Sequence, residues 1–285
     1  MRGRLTLNVP IDHVGIVGRN VVEMREALGR LGFYSPGVTS LALGDDSGRQ
    51  PSRNSHFVFD AGYIELIASQ GDDHLARYVS RREGLHILAM ASGNAQASRE
   101  AFQRLSLQPA GTLVSTRPAV HGEVTGTASF EWFGFAEPSF PEGLVCVVEH
   151  LTPELIYQKE RFQHPNGAFR LDEVILLVDD TDQAAERYGS LSFAHCNVNP
   201  LQNHVTWCGR LTLLDEARSR ERFSGLETDI RNGFLGFIVA VKSMPQVHHM
   251  LQKSGIPYQT SADGVVWVQP ETAAGSLVGF RESIE

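Results

Sequence analysis

Four apolar runs recur along the chain, and each is followed by an amphipathic segment and then by further strand-like runs. The runs are IDHVGIV (11–17), LHILAMA (85–91), DEVILLV (172–178) and LGFIVAV (235–241). A similar tripeptide, Leu-Gly-Phe in the first case, follows each run at nearly the same distance along the chain and ends the amphipathic segment. These tripeptides are at 31–33, 105–107, 191–193 and 254–256. A fixed interval that repeats four times indicates an internal repeat.

The segment between each run and its terminus predicts a helix. In the first segment, Val21, Met24, Leu28 and Leu31 follow one another at steps of three and four, so they share one helical face. Polar residues that favour helix starts precede these segments. The predicted N-caps are Asn20, Asp180 or Thr181, and Ser243.

Strand-like runs follow each helix and complete the repeat. They are HFVFD and GYIELIA, SFEWFGF and LVCVVEH, HVTWC and RLTLLD, and VVWVQ and SLVGF. Strand, helix and about three further strands, repeated four times, predict an α+β protein of four βαβββ modules paired into two half-barrel domains. We predict an N-terminal domain over 1–151 (modules 9–70 and 84–151), a polar linker over 152–170, and a C-terminal domain over 171–285.

Composition narrows the class of partner. The chain has 285 residues and a formal net charge of −8, which argues against nucleic-acid binding and leaves a small-molecule substrate open. The three cysteines show no metal-ligand or CxxC spacing, as expected in a reducing compartment. The longest apolar run, 233–241, is far shorter than the roughly 20 residues that cross a bilayer. We expect a cytoplasmic protein without a membrane partner.

Several motifs resemble those of one superfamily. The sequence IDHVGIVGRNVVEMREALGRLGF with HFVFDAGYIELIA resembles the opening module of glyoxalase-like members of the vicinal oxygen chelate superfamily. EHLTPEL, HPNGAFRLDEVILLVDD and VWVQPETAAGSLVGF resemble its middle and its closing hairpin. The resemblance implies that paired modules curl into half-open barrels around a divalent metal, with ligands on the first and last strands of each module.

Carried over residue by residue, the resemblance implies four metal ligands. They are His13 and Glu65 in the first module and His86 and Glu149 in the second. Such nitrogen and carboxylate donors suit Ni, Zn, Mn, Fe or Co. Because side chains alternate along a strand, each of the four shares a largely apolar face, where a charged group needs a compensating partner. A hydrogen-bonded core histidine or a solvated glutamate is the alternative interpretation.

Glu149 and His150 compete for one position, because neighbouring residues of a strand face opposite sides and a one-residue bulge would exchange them. Other polar residues that could line the cleft are His121, His56, Arg53 and Asn54, with an exposed loop position as the alternative for each. The second half carries Glu173, Gly236, Thr212 and Val278 at the positions of the ligands. We therefore expect it to cover the site or to form an interface, for example in a homodimer.

Three functions follow from the resemblance. The first is a lyase or isomerase that acts on a small hydroxy- or keto-carbonyl compound through a metal-bound enolate, with Glu65 or Glu149 as the catalytic base. The second is an extradiol-type dioxygenase, which needs only three protein ligands. The third is a non-enzymatic protein that binds a drug or toxin, for which the aromatic residues of the second module would stack on the ligand.

Overall fold

The computed structural model describes residues 4–43, 52–69, 71–105, 107–121, 124–136, 139–192, 209–223, 225 and 230–283. The described strands are β1 (Arg4–Val9), β2 (Ile11–Gly18), β3 (Val38–Leu43), β4 (Ser52–Val58), β5 (Tyr63–Ala68), β6 (Gly84–Ala91), β7 (Leu113–His121), β8 (Val124–Gly134), β9 (Leu144–His150), β10 (Ala168–Leu177), β11 (Gly209–Leu214), β12 (Gly233–Val241), β13 (Tyr258–Thr260), β14 (Val266–Val268) and β15 (Leu277–Glu282). The α-helices are α1 (Val21–Arg30), α2 (Ala76–Arg81), α3 (Ala95–Arg104), α4 (Thr181–Gly189), α5 (Glu216–Arg222) and α6 (Met244–Lys253).

The first two modules form a closed eight-stranded barrel. Its strands follow one another in the order β2-β5-β4-β3-β7-β8-β9-β6. The opening strands β2 and β6 pair antiparallel in the middle, and each pairs in parallel with the last strand of its own module, β5 or β9. Pairing of Ala42 with Thr116 joins β3 to β7 and closes the barrel, where the resemblance implies a half-open one. The predicted α+β fold of paired modules is confirmed.

The two faces of the barrel strands serve different cores. Val17, Ile87 and Cys146 belong to a small apolar cluster inside the barrel. Residues one position away, such as Ile16 and Leu88, belong to the main core outside it, against the helices and the second sheet. This alternation decides which polar side chains enter the barrel.

The predicted helices and their caps are present. Asn20 caps α1 by accepting hydrogen bonds from the amides of Val22 and Glu23, and Asp180 and Ser243 cap α4 and α6 in the same way. Each side-chain oxygen satisfies amides that have no partner within the helix. The HVTWC run (204–208) and the terminus at Phe193 lie outside the described residues, as do Cys196 and Cys208.

The last two modules contribute to a seven-stranded sheet of order β1-β11-β10-β12-β15-β14-β13. Strand β1 pairs antiparallel with β11, so residues 4–9 join the second sheet although they precede the barrel in the chain. The hydrophobic pattern of β1 alone did not indicate this exchange. The division into two domains at 152–170 stays a prediction.

Close packing joins the barrel to the second sheet. Gly84 opens β6 at φ +136° and faces the carbonyl oxygen of Gly275, which would lie 2.2 Å from a Cβ atom at Gly84. The Phe33 and Phe280 rings stack across the same junction with centroids 5.7 Å apart. A side chain at Gly84 would therefore separate the two sheets.

The segment that links the two sheets contributes to the barrel. It contains 3₁₀ turns at Pro153–Leu155 and Lys159–Phe162. Asn166 is buried and donates a hydrogen bond to the carbonyl of Leu31, which fixes the segment against α1. In the described part of the chain, no helix is both long and apolar enough to cross a membrane.

Candidate active site

A β-bulge in β2 places two neighbouring polar side chains together. Ile11 pairs with Met90 and His13 pairs with Ala89, so Asp12 is the extra residue between two regular pairs. The Asp12 carboxylate is buried and lies 2.7 Å from Nδ1 of His13. A regular strand would have turned these side chains to opposite faces.

Asp12 is the acceptor for three side chains from different elements. Besides His13, it contacts Nε2 of His150 at 3.0 Å and accepts a hydrogen bond from the hydroxyl of Tyr157 at 3.2 Å. Burial alone would raise the pKa of Asp12, but His150 and His13 hold it well below its ordinary range. The carboxylate is therefore ionised and fixes one edge of the His13 imidazole.

Glu65 faces the other edge of that imidazole. Its Oε2 lies 3.7 Å from Nε2 of His13. Its Oε1 lies 3.4 Å from Nε2 of His56 and accepts a hydrogen bond from Asn54 at 3.2 Å. Burial raises the pKa of Glu65, but the hydrogen bond from His56 and the neighbouring imidazoles outweigh it and lower the pKa to about 2. His13 thus lies between two ionised carboxylates.

The neighbouring groups stay neutral at physiological pH. Burial and the charge of Arg117 lower the pKa of His56 to about 3, so it is an uncharged imidazole. Burial and nearby carboxylates raise the pKa of Tyr63 and of Tyr157 well above 10. The Tyr63 ring stacks on His13 with centroids 4.3 Å apart and holds its plane.

Arg117 brings a positive charge into the same space. It lies on β7, and only 4% of its surface is exposed. Among the residues that the structure describes, no hydrogen bond or ion pair engages its guanidinium. Burial lowers its pKa, while Tyr63 and Glu65 oppose that change. Arg161 lies close enough for its own pKa to be lowered by Arg117.

These groups line one end of a pocket inside the barrel. The other end is largely apolar, and the pocket volume is about 60 Å³. The polar lining includes His13, His56, Glu65, Arg117 and His150, with His74 beside Trp132 at the other end; the apolar lining includes Leu41, Ile67, Ile87, Phe130, Trp132, Leu144 and Val148. A small pocket with a polar end and an apolar end is suited to a small organic molecule.

The structure brings together only part of the predicted site. His13 and Glu65 meet in the pocket, and Asn54, His56 and His150 lie beside them. Arg53 is exposed on the outside of β4. His121 lies at the end of β7, where its ring meets the edge of Tyr34 with centroids 6.3 Å apart.

His86 does not reach the pocket. It is the extra residue of a β-bulge in β6, because Ile87 and Leu85 pair with consecutive residues of β2. Its ring lies 5.3 Å from the ring of Tyr78, and its Nε2 lies 3.0 Å from the carbonyl oxygen of Arg82. His86 is therefore held beside α2 and is not brought together with His13 and Glu65 in the pocket.

Glu149 is also directed away from the pocket. Its Oε2 accepts a hydrogen bond from the amide of Ala95 at 2.8 Å, at the first residue of α3. A carboxylate at this position satisfies a helix amide and favours the positive end of the helix dipole. His150, the next residue, faces the pocket and contacts Asp12.

Sequence reasoning missed Asp12, Tyr63, Tyr157 and Arg117. Asp12 gave a signal that could have been used, since an acid inside an otherwise apolar strand needs a buried partner. Arg117 lies in the run STRPAV, whose hydrophobic pattern does not indicate whether the arginine is buried or exposed. Tyr157 comes from the predicted linker, and only the three-dimensional fold places it beside β2.

The closed barrel of paired βαβββ modules, with a polar site on its opening strands, is the architecture of the vicinal oxygen chelate superfamily. Within it, residues 11–192 match the glyoxalase-like domain family, Glyoxalase_3. The match covers more than half of the chain, so this protein belongs to the glyoxalase-like domain family. No curated protein sequence is significantly similar to the chain.

Solved structures with the same fold are distant in sequence. A hypothetical protein from Staphylococcus aureus has 11% identity and a TM-score of 0.61, over 96% of this chain and 99% of that one. A mutant of 4-hydroxymandelate synthase from Streptomyces coelicolor has 11% identity and a TM-score of 0.61, over 96% and 92%. A xylose isomerase-like TIM barrel/4-hydroxyphenylpyruvate dioxygenase fusion protein has 14% identity and a TM-score of 0.55, and the chain spans 49% of its length. These similarities show the fold.

Members of this superfamily typically use divalent metals. Among the described residues, no three His, Cys, Asp or Glu side chains are grouped so that they could hold a metal ion. His56 and Asn54 both bond to Oε1 of Glu65, and Asp12 occupies Nδ1 of His13. The donors satisfy one another, and the residues present do not fit the four-ligand metal site that the resemblance implied.

Proposed function

We propose that this protein is an enzyme that moves a proton at a carbon atom beside a carbonyl group of a small molecule, as lyases and isomerases of the glyoxalase type do. The observation that carries the proposal is the buried His13 imidazole, which is held by Asp12 on one nitrogen and faces Glu65 with the other. A histidine oriented by a carboxylate is the common design of a general base.

His13 and Glu65 have distinct parts in the proposed reaction. Nε2 of His13 takes the proton from the substrate carbon, the electron pair of the C–H bond forms a C=C bond, and the π pair of the carbonyl moves onto its oxygen. The imidazolium then returns a proton to the enolate carbon, which restores the carbonyl and neutral His13. The ionised Glu65 faces Nε2 and stabilises the imidazolium that forms. Asp12 is a positioning residue: it fixes the tautomer and the orientation of the ring through Nδ1. Glu149, which caps α3, has no part in the reaction.

The expected dependence on Ni, Zn, Mn, Fe or Co is not part of this proposal. His86 contacts the carbonyl of Arg82 and Glu149 binds a helix amide, so half of the expected ligand set does not line the pocket. The dioxygenase alternative meets the same obstacle, since it needs three ligands on one ion. No step of the proposed reaction passes through a metal.

The apolar end of the pocket supports a second candidate, a protein that binds a small molecule without changing it. Phe130 and Trp132 line this end, and Trp132 is fixed by a hydrogen bond from Nε1 to Ser115. Such aromatic rings provide a surface on which an apolar ligand packs. This candidate accounts for the apolar end of the pocket but gives the buried Asp12–His13 pair no functional role.

One experiment separates the two candidates. A panel of small α-keto and α-hydroxy carbonyl compounds is incubated with the protein in heavy water, with and without a chelator, and deuterium uptake is measured by mass spectrometry. We expect exchange of the hydrogen beside the carbonyl, at equal rates with and without the chelator. Binding without exchange for every compound that binds would favour the second candidate. Exchange that disappears with the chelator would restore the metal-dependent mechanism.

A further inference from the structure

Arg117 lines the pocket without a direct partner for its charge. Its side chain is almost completely buried, and no hydrogen bond or ion pair joins its guanidinium to a described residue. An unpaired buried charge is costly, and proteins ordinarily pair it with an acid. Glu65 is ionised nearby, but its oxygens are already directed at His56, Asn54 and His13. The guanidinium therefore faces the pocket with donors to spare.

We infer that Arg117 binds the carboxylate of the substrate, and that the substrate class is a short 2-oxo acid with a small apolar chain. The identity of the reacting carbon rests on the proposed function. The presence of a carboxylate in the substrate rests on Arg117. A guanidinium presents paired N–H donors that match the two oxygens of a carboxylate. The carbonyl next to the carboxylate then acidifies the hydrogens of the following carbon.

The size of the pocket limits the length of the acid. A water molecule requires about 10–15 Å³ of such space, so a pocket of about 60 Å³ accommodates about four to six non-hydrogen groups. This corresponds to a 2-oxo acid of about three carbon atoms, such as pyruvate. The apolar side chains of Ile67 and Leu144 are suited to its methyl group.

Charge balance points to the same class. Asp12 and Glu65 are both ionised, and Tyr63 and Tyr157 keep their protons. An anion entering this site would be repelled unless a fixed cation received it. Arg117 and the neighbouring Arg161 are the cations on that side, and Arg161 is anchored by a hydrogen bond to the carbonyl of Ile156. Arg117 is therefore the one directed at the ligand.

The test uses binding, which does not depend on turnover. Pyruvate and its neutral isostere pyruvamide are titrated into the full-length protein by calorimetry. We expect the acid to bind at least about tenfold more tightly than the amide, because only the acid pairs with the guanidinium. Equal affinity for the two compounds, or no binding of the acid up to about 10 mM, would overturn the inference. This comparison needs no variant.

Substitutions then assign the effect to the residue. Arg117→Gln should abolish the preference for the acid, whereas Arg53→Gln, an exposed arginine on the outside of the same barrel, should keep it. Thermal unfolding shows whether each variant is folded. If Arg117→Gln does not fold, Arg117→Lys replaces it in the binding comparison. A preference that survives Arg117→Gln would contradict the assignment. Acid-selective binding without hydrogen exchange would support the role of Arg117 in binding and would count against the proposed reaction. Failure of the inference can therefore be distinguished from failure of the proposed function.

Discussion

At the scale of single residues, one acid determines the character of the site. Asp12 exists in the pocket because a bulge adds a residue to β2, and it collects His13, His150 and Tyr157 around one carboxylate. Only some of the residues that form the pocket could be predicted from the sequence. His13 and Glu65 could be identified from their apolar strands, whereas a bulge has no sequence pattern that distinguishes it from a regular strand.

Asp12→Asn tests the positioning role of this carboxylate. The amide keeps the size of the side chain but removes the charge that stabilises protonated His13. We expect the rate of hydrogen exchange to fall about a hundredfold or more. The loss should appear in the rate of exchange of bound substrate rather than in the affinity for the substrate. An unchanged rate in the folded variant would contradict the positioning role.

His86 provides a pH-dependent contrast outside the site. Burial and the charge of Arg82 lower its pKa to about 4. The unfolded chain binds this proton below about pH 6.5, so the folded state loses stability as the pH falls from about 6.5 to about 4. His86→Gln should reduce that loss by up to about 1 kcal/mol per pH unit. Urea unfolding at neutral and mildly acidic pH measures the difference.

The activity of the same variant distinguishes the two interpretations of His86. Since His86 does not line the pocket, His86→Gln should exchange substrate hydrogen at the wild-type rate at neutral pH. His56 and His164 also have lowered pKa values, of about 3 and about 4, so the variant keeps part of the acid sensitivity. A large loss of activity with normal folding would show that His86 serves the site after all.

At the scale of elements, the strands were predictable and their faces were not. The pattern predicted β2, β5, β6 and β9 near their observed positions, because each is a short apolar run next to a turn or a helix. In β9, Glu149 shares the face of Val145 and Val147, which belong to the main core outside the barrel, so His150 faces the pocket. In β6, the bulge at His86 interrupts the alternation, and a bulge has no sequence signal.

Glu149→Gln tests the helix-capping interpretation. The side chain binds the amide of Ala95 at the start of α3, where a negative charge is favourable. We expect the free energy of unfolding to fall by about 1 kcal/mol, with the exchange rate unchanged. Glu160→Gln, at an exposed position of the linker, is the matched control and should change neither quantity. Loss of activity in Glu149→Gln without loss of stability would point back to a role in catalysis.

At the scale of the whole molecule, the barrel is built by the first two modules and supported by the rest of the chain. Strand β1 joins the second sheet, and the linker supplies Tyr157 to the first. The repeat could be predicted because four modules share one pattern of apolar positions. These two exchanges could not, because they depend on contacts between distant segments. A cytoplasmic location and a homodimer stay predictions.

The proposed reaction requires that His13 transfers a proton within this pocket. Deuterium uptake into a short 2-oxo acid in heavy water, followed by proton NMR, tests this step for the wild type and for His13→Gln in the presence of a chelator. We expect exchange by the wild type and a rate at least about a hundredfold lower for His13→Gln. Equal exchange by the two folded proteins, or exchange by neither, would contradict it.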